Sequence, residues 1–400
     1  MAETISAEIE RGIPGRKRRD ATLRRRQVIS NVLANLVDLR MTPGRQPGAR
    51  LAVATAKKKP TRYDRADYPQ RILADTLLAM EEVGAIHRHD YTFKRHLTTV
   101  EPTADFQRAI MLSPSSLADI GRGVGAETIW LAARSGERPR HGQPMTKVLV
   151  SYRDTSDSCR YRAEVETINA YLRAADITFD GRPQVPVSLR RGFTLRSPHE
   201  TPEFNLGGRL FGGFWMNISS RERYRLGLRG EPVADLDYSA MFARLAYLRA
   251  GQVPPNTDPY EIPGLEAHRT GAKVAMLSLL SRSSDMKQLT PELRAALPEG
   301  WTAKHLREAA ARFHPRIAQL FGTDVGIDLM FAESQLLVRL LLELAAADIP
   351  ALPMHDGLMV PVTETERVAH MMRNASVKAF GVSIPVKEKE IWWPNTITGH

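Results

Sequence analysis

Four short segments in the second half of the sequence hold side chains suited to phosphate chemistry. Asp237 lies in Val233-Ala234-Asp235-Leu236-Asp237-Tyr238-Ser239, entered through apolar residues and followed by a helical pattern over 241–248. Asp356 lies in Met354-His355-Asp356-Gly357, between apolar runs ending at Leu352 and resuming at Leu358. That pattern predicts a strand, a tight turn and a strand. Two carboxylates from separate segments, brought together, can hold two Mg²⁺ ions about 3.5 to 4 Å apart and stabilise the attacking and leaving oxygens of a phosphoryl displacement. Arg269 and Lys273 are four residues apart, so on a helix they project from one face, one turn apart, and can contact a triphosphate. The fourth segment is Gly208-Arg209-Leu210, followed by Asn217-Ile218.

Each feature also has a plainer reading. Asp237 and Ser239 are good helix caps, Asp356-Gly357 is ordinary hairpin chemistry, and Arg269 with Lys273 could be a solvated helix face. The order of the set favours chemistry over these. The apolar helix expected over 327–347 reads as core, with Glu333 and Gln335 as scaffold. Phe214 and Trp215 read as core and Trp392-Trp393 as an apolar plug, while Cys159 has no reactive setting.

The elements that must position these residues come from a chain of 400 residues with 42% hydrophobic and 25% charged side chains, enough for two or three globular domains. One cysteine excludes an internal disulfide and a Cys-rich zinc site. No apolar run is long enough to span a membrane and residues 1–10 do not resemble a signal peptide, so a cytoplasmic protein with no membrane partner is expected. The net charge of +11, with a pI near 9.8, favours a polyanionic partner. Residues 1–60 carry fourteen Lys and Arg against five Asp and Glu, in runs such as Arg16-Lys17-Arg18-Arg19, Arg24-Arg25-Arg26 and Lys57-Lys58-Lys59. They read as a basic arm and linker contacting phosphates.

Helical periodicity covers 23–40 and 69–83, and 85–100 reads as a hairpin. Helix followed by hairpin is a faint winged-helix pattern, for which a plain structural role is favoured. A strand over 147–152, a helix over 162–175, a turn at Asp180-Gly181 and strands within 185–195 complete the first half.

The ordered segments resemble the motifs of family A DNA polymerases, the polymerase I group, to which the single-subunit phage RNA polymerases are related. The resemblance covers roughly residues 203–400. Asp237-Tyr238-Ser239 is similar to the first motif, Arg269 and Lys273 to the finger-helix motif and His355-Asp356 to the third. Gly208-Arg209-Leu210 with Asn217-Ile218 is similar to a segment touching the primer-template minor groove, and Asp258-Pro259-Tyr260 stands where a short acidic segment follows the first motif. The resemblance implies an α+β fold, a right-hand polymerase palm with compact fingers inserted around 258–325, preceded by a mixed α/β region over 61–202, thumb-like or winged-helix-like, and the basic arm.

It implies further that Asp237 and Asp356 ligate two Mg²⁺ ions, for which Mn²⁺ can substitute, with the backbone carbonyl of Tyr238 beside them. Lys273 would assist departure of pyrophosphate, Arg269 would hold the γ-phosphate, and His355 and Arg209 would position the primer. Phe242, five residues after Asp237, would exclude a 2′-hydroxyl. The expected activity is template-dependent DNA synthesis from dNTPs on a DNA primer-template, in replication or repair. Alternatives are a primase or RNA polymerase using NTPs, and a nucleic-acid-binding protein on an inactive polymerase fold. Three departures stand out: Ser281 replaces a tyrosine of the finger helix, Gly357 replaces the glutamate of the third motif, and only 82 residues run from Lys273 to His355.

Overall fold

The structure is a computed structural model, and it describes residues 2–12, 19–45, 48–53, 55, 61–64, 72–90, 98–112, 117–120, 126–135 and 147–392. The expected basic runs at 16–18 and 57–59, the start of the helix expected from residue 69, and Trp393 lie outside these residues. The described part is a mixed α+β structure forming two compact units from interleaved segments. Residues 1–127, 176–188 and 214–230 make one; 128–175, 189–213 and 231–400 make the other. Each therefore draws on more than one of the segments 1–60, 61–202 and 203–400.

In the first unit, helix Ala2–Gly12 turns Ile5 and Ile9 inward, four residues apart. Helix Arg19–Met41 adds Val28, Ile29, Val32, Leu33 and Leu36, and helix Leu73–Glu82 adds Leu73, Leu77 and Met80. These stripes share one core with Ile86, Val100, Phe106 and Ile110. Much of the expected arm is thus helix with a buried face, because the run Arg24-Arg25-Arg26 is followed by Val28, Ile29, Val32, Leu33 and Leu36 at helical spacing. Strands Ile86–His89 and Thr99–Pro102 pair antiparallel, as the hairpin expectation requires, and Leu51–Ala52 pairs with the second of them. Helix Leu73–Glu82 carries Asp75, Glu81 and Glu82 and no Lys or Arg, so it lacks the basic surface of a groove-entering helix. Ile177–Phe179 and Arg182–Pro183 form a second hairpin, whose turn residues Asp180 and Gly181 both have positive φ (51° and 71°). A two-residue hairpin loop of that twist requires this backbone. Trp215 is fully buried in the same unit, as expected of a core residue.

In the second unit, four strands lie in the spatial order Lys147–Leu149, Ile129–Arg134, Arg190–Leu195, Gly207–Phe211. The middle pair is parallel, which demands a long crossover, and helix Ser156–Ala174 supplies it. That helix starts six residues before the expected 162, because Thr155 and Ser158 cap its N-terminus reciprocally. The second sheet is antiparallel throughout, in the order Leu352–Pro353, Gly357–Pro361, Glu231–Tyr238, Val386–Lys389. Helix Gly326–Ala346 buries Leu329, Leu336, Leu340 and Leu344 and packs on the Gly207–Phe211 strand, confirming the core helix expected there.

Candidate active site

Asp237 sits on the central strand Glu231–Tyr238. Alternation puts Asp235 and Asp237 on one face and Leu236 on the other. A fully flanked strand keeps both carboxylates from bulk water: Asp235 is 2% and Asp237 9% exposed. Across the strand pair, Asp237 lies opposite Gly357. The two-residue turn His355-Asp356, closed by the Met354 N–H donating to the Gly357 carbonyl at 2.9 Å, is thereby delivered to the end of the Asp237 strand. The Tyr238 N–H donates to the Asp356 carbonyl at 3.2 Å, so the two candidate ligands are joined through backbone. The structure brings Asp237 and Asp356 together from positions more than a hundred residues apart.

Gly357, where the resemblance implies a glutamate, is closely confined. A Cβ there would lie 2.3 Å from the Leu236 carbonyl oxygen and 3.1 Å from Asp237 Oδ1, so the strand pairing that places Asp356 leaves no room for a side chain.

Burial and the nearby Asp356 charge push the Asp237 carboxyl up to about 7, against Lys389, which favours its ionised form. Lys389 Nζ is 2.7 Å from Asp237 Oδ2. Asp237 Oδ1 is buried with no hydrogen-bond partner, a cost unless some group approaches it. Sequence reasoning missed Lys389. Its signal was the pairing of two alternations, Asp235 and Asp237 on one strand, Lys387 and Lys389 on the strand antiparallel to it.

Tyr238 is held by its side chain in the core, with Oη donating to the Met372 carbonyl at 2.7 Å, so its phenol does not face the carboxylates. After Ser239, Ala240 takes a left-handed backbone (φ 51°, ψ 37°) that turns the chain into helix Met241–Arg249. A non-glycine residue there stores strain beside the carboxylates. Phe242, on that helix, is buried (5% exposed). Arg244 anchors the following loop, donating from Nε to the Ser239 carbonyl at 3.0 Å and from Nη2 to the Thr257 carbonyl at 3.2 Å. His314, buried, donates from Nε2 to the Pro259 carbonyl and accepts the Tyr247 hydroxyl at Nδ1, each at 2.8 Å. These contacts fix the segment Asp258-Pro259-Tyr260.

That segment holds Arg269. Asp258 Oδ2 accepts from Arg269 Nε at 2.5 Å, and the guanidinium lies 5.4 Å from the Tyr260 ring centroid. Arg269 opens helix Arg269–Ser281 and Lys273 stands one turn on, exposed. Gly271 between them allows contact with the next helix, since a Cβ would meet the Ala296 carbonyl oxygen at 2.2 Å. Tyr260, deeply buried, is shifted upward by burial and by Asp356, while Arg269 opposes the shift. Arg269 and the carboxylates of Asp356 and Asp237 thus all act on Tyr260.

Arg209 is anchored at a buried carboxylate. Its guanidinium is tied to Glu333, Nε and Nη2 each 2.7 Å from Oε2. Glu333, expected to be scaffold, is 3% exposed and pushed up to about 7, by burial first and then by Asp356 and Asp237, with Arg209 opposing. Behind this pair, Arg191 is fully buried. It donates to the Gly208 carbonyl at 2.8 Å and to Glu164 at 3.1 Å, and it stacks on Tyr161 at 4.6 Å. His355 is exposed, meets the Phe211 ring edge at 6.0 Å, and is lowered by partial desolvation and by Arg209, against Asp356.

Among the described residues no three His, Cys, Asp or Glu side chains converge as a metal cage. Two carboxylates, one with an orphaned buried oxygen, offer oxygen donors to an ion. This suits a hard divalent ion that keeps several waters, as Mg²⁺ does. Among the described residues no helix is long and apolar enough to cross a membrane.

No protein-family model and no curated protein matches the chain. Among solved structures it is similar to the POL domain of Pol1 from M. smegmatis in complex with DNA primer-template and dNTP. The identity is 12% and the TM-score 0.34, over 59% of this chain and 52% of that one. Likeness at this level leaves the chemistry to be judged from the side chains themselves.

Proposed function

We propose that the protein is a nucleotidyltransferase that extends a DNA primer 3′-hydroxyl from dNTPs, copying a template. The observation that carries this reading is the delivery of Asp356 to Asp237 by the Glu231–Tyr238 and Gly357–Pro361 pairing. Asp237 and Asp356 would hold Mg²⁺, which supplies charge stabilisation at the attacking and leaving oxygens when bound. Arg269, oriented by Asp258, holds the terminal phosphate, and its fork suits bidentate contact. Lys273, a compact exposed ammonium, contacts the bridging oxygen between the α- and β-phosphates and donates a proton to departing pyrophosphate. The 3′-hydroxyl gives up its proton to water as its oxygen bonds to the α-phosphorus and the bond to that bridging oxygen breaks. Arg209, held by Glu333, and His355, beside Phe211, line the approach of the primer strand.

The test is extension of a labelled primer-template with Mg²⁺ and either dNTPs or NTPs. Extension by dNTPs, lost in Asp237→Asn, supports the reading. Extension by NTPs alone moves it to a primase or RNA polymerase, and binding without extension to an inactive polymerase-like fold.

A further inference from the structure

The carboxylate site contains a cation of its own. Lys389 ends strand Val386–Lys389, directly opposite Asp235 in the pairing with Glu231–Tyr238, and diagonal to Asp237. On an antiparallel pair a diagonal neighbour is about 7 to 8 Å away at the backbone, within reach of a lysine stem. Lys389 uses that reach, with Nζ 2.7 Å from Asp237 Oδ2. Asp237, Asp235 and Asp356 all act on its charge.

We propose that Lys389 is the resident counter-ion of this site: its ammonium neutralises Asp237 while no metal is bound and is displaced by an entering divalent cation, so that Lys389 sets the cation affinity. The inference rests on the reading of Asp237 and Asp356 as metal ligands given above.

Three features support displacement over a fixed structural ion pair. Asp237 Oδ1, in a residue only 9% exposed, has no partner, so the lysine leaves the site coordinatively unsatisfied and open to an ion. The Lys389 side chain is 45% exposed, so its ammonium can swing into water without a buried cavity opening. An ammonium is a compact point charge that competes for the carboxylate oxygens a hard cation needs. The position that could have supplied another acidic ligand, residue 357, is closed by backbone. Charge balance at the site therefore depends strongly on one removable lysine.

The experiment is a titration of the full chain with Mn²⁺, following the free-ion electron paramagnetic resonance signal, for wild type, Lys389→Met, Lys389→Gln and Asp356→Asn. Circular dichroism confirms that each is folded. Both Lys389 variants are expected to bind Mn²⁺ about tenfold more tightly than wild type, a factor corresponding to about 1.4 kcal/mol. Asp356→Asn is expected to lose binding. With EDTA, Lys389→Met melts below wild type, and saturating Mn²⁺ closes the gap. The glutamine variant keeps a hydrogen-bond donor without charge and decides the matter if the methionine variant fails to fold. Equal Mn²⁺ affinity in wild type and the variants, with Asp356→Asn still defective, overturns the role of Lys389 and leaves the metal ligands standing. No Mn²⁺ binding by any folded variant, wild type included, overturns the ligand assignment and with it this inference.

Discussion

Gly357 is packed against the backbone of Leu236 so closely that a Cβ on it would lie 2.3 Å from the Leu236 carbonyl oxygen. Backbone on a central strand cannot yield as a side chain can. Gly357→Ala is therefore expected to cost at least the roughly 1 to 3 kcal/mol of ordinary overpacking, read from urea unfolding, and to lower primer extension with it. Gly357→Glu, although it restores the residue type of the polymerase motif, is expected to be worse than alanine on both measures.

Asp237→Asn and Asp356→Asn are each expected to reduce extension to background with the fold retained, since either removes a ligand from a site that has few. Asp235→Asn is expected to be milder. Asp235 shares a face with Asp237 but lies one alternation further from the Asp356 turn. Equal loss from Asp235→Asn would show that residue 235 holds the ion.

Glu333 predicts a particular pH dependence of stability. Its carboxyl is raised in the fold to about 7, so between the unfolded value near 4.5 and about 7 the folded state binds the extra proton. Stability from this group is present at low pH and is lost as pH rises through that window. Asp237 acts in the same direction, whereas His314 and His355, both lowered from the ordinary 6.5, act oppositely below that value. The readout is consequently the difference between wild type and Glu333→Gln. The advantage of wild type over the variant is expected to shrink by about 2 kcal/mol between pH 5.5 and 8, on about 1.4 kcal/mol per pH unit, measured by thermal melting without metal. A constant difference would mean that Glu333 stays ionised.

Phe242→Ala is expected to relax the preference for dNTPs over NTPs by about tenfold, because a phenyl ring offers no acceptor to a buried 2′-hydroxyl. The side chain is buried, so the same change is expected to cost about 3 to 5 kcal/mol of stability. The ratio of incorporation rates, taken well below the melting temperature, separates the two effects. An unchanged ratio would make Phe242 a core residue only.

The burial of one face of helix Arg19–Met41 decides how its charge can be tested. Removing residues 1–60 would strip Ile5, Ile9, Val28, Ile29 and Leu36 from a core, so Arg24→Ala with Arg26→Ala is the better probe. If both contact phosphate, the slope of log K against log salt is expected to flatten by about 1.8, measured by fluorescence anisotropy on duplex DNA. An unchanged slope would leave these side chains as solvated charge.

What could be read from the sequence was what periodicity and turn chemistry specify locally. The helix carrying Val28 and Leu36, the helix carrying Leu336 and Leu340, the turn at Asp180-Gly181 and the hairpin at His355-Asp356 all stand where those signals put them. The facing of Asp237 and Asp356 was implied by the family resemblance, while the apolar runs indicated only the strands that carry them. Long-range polar partners were hidden. Glu333 lies 124 residues from Arg209 on an apolar helix, where a carboxylate looks incidental. Lys389, in an alternation of Lys and Glu, looks like the solvent edge of a sheet. Helix Ser156–Ala174 starts early because its cap uses Ser158 where a glutamate or glutamine would have been recognised.

The interleaving of the two units bears on how the chain is made. The first unit recruits 176–188 and 214–230 in addition to 1–127, and the second recruits 128–175 and 189–213 in addition to 231–400. A ribosome releases the chain from its N-terminus, so neither unit can close while the first 200 residues emerge. Strand Ile129–Arg134 waits for Arg190–Leu195, and strand Ile177–Phe179 for Leu226–Leu228. Nascent chains ending between about residues 134 and 226 would therefore expose unpaired strand edges, the state in which association with other chains competes with folding. The same threading leaves no single backbone cut that separates the two units, so a protease nick in either is expected to leave two fragments held in one particle.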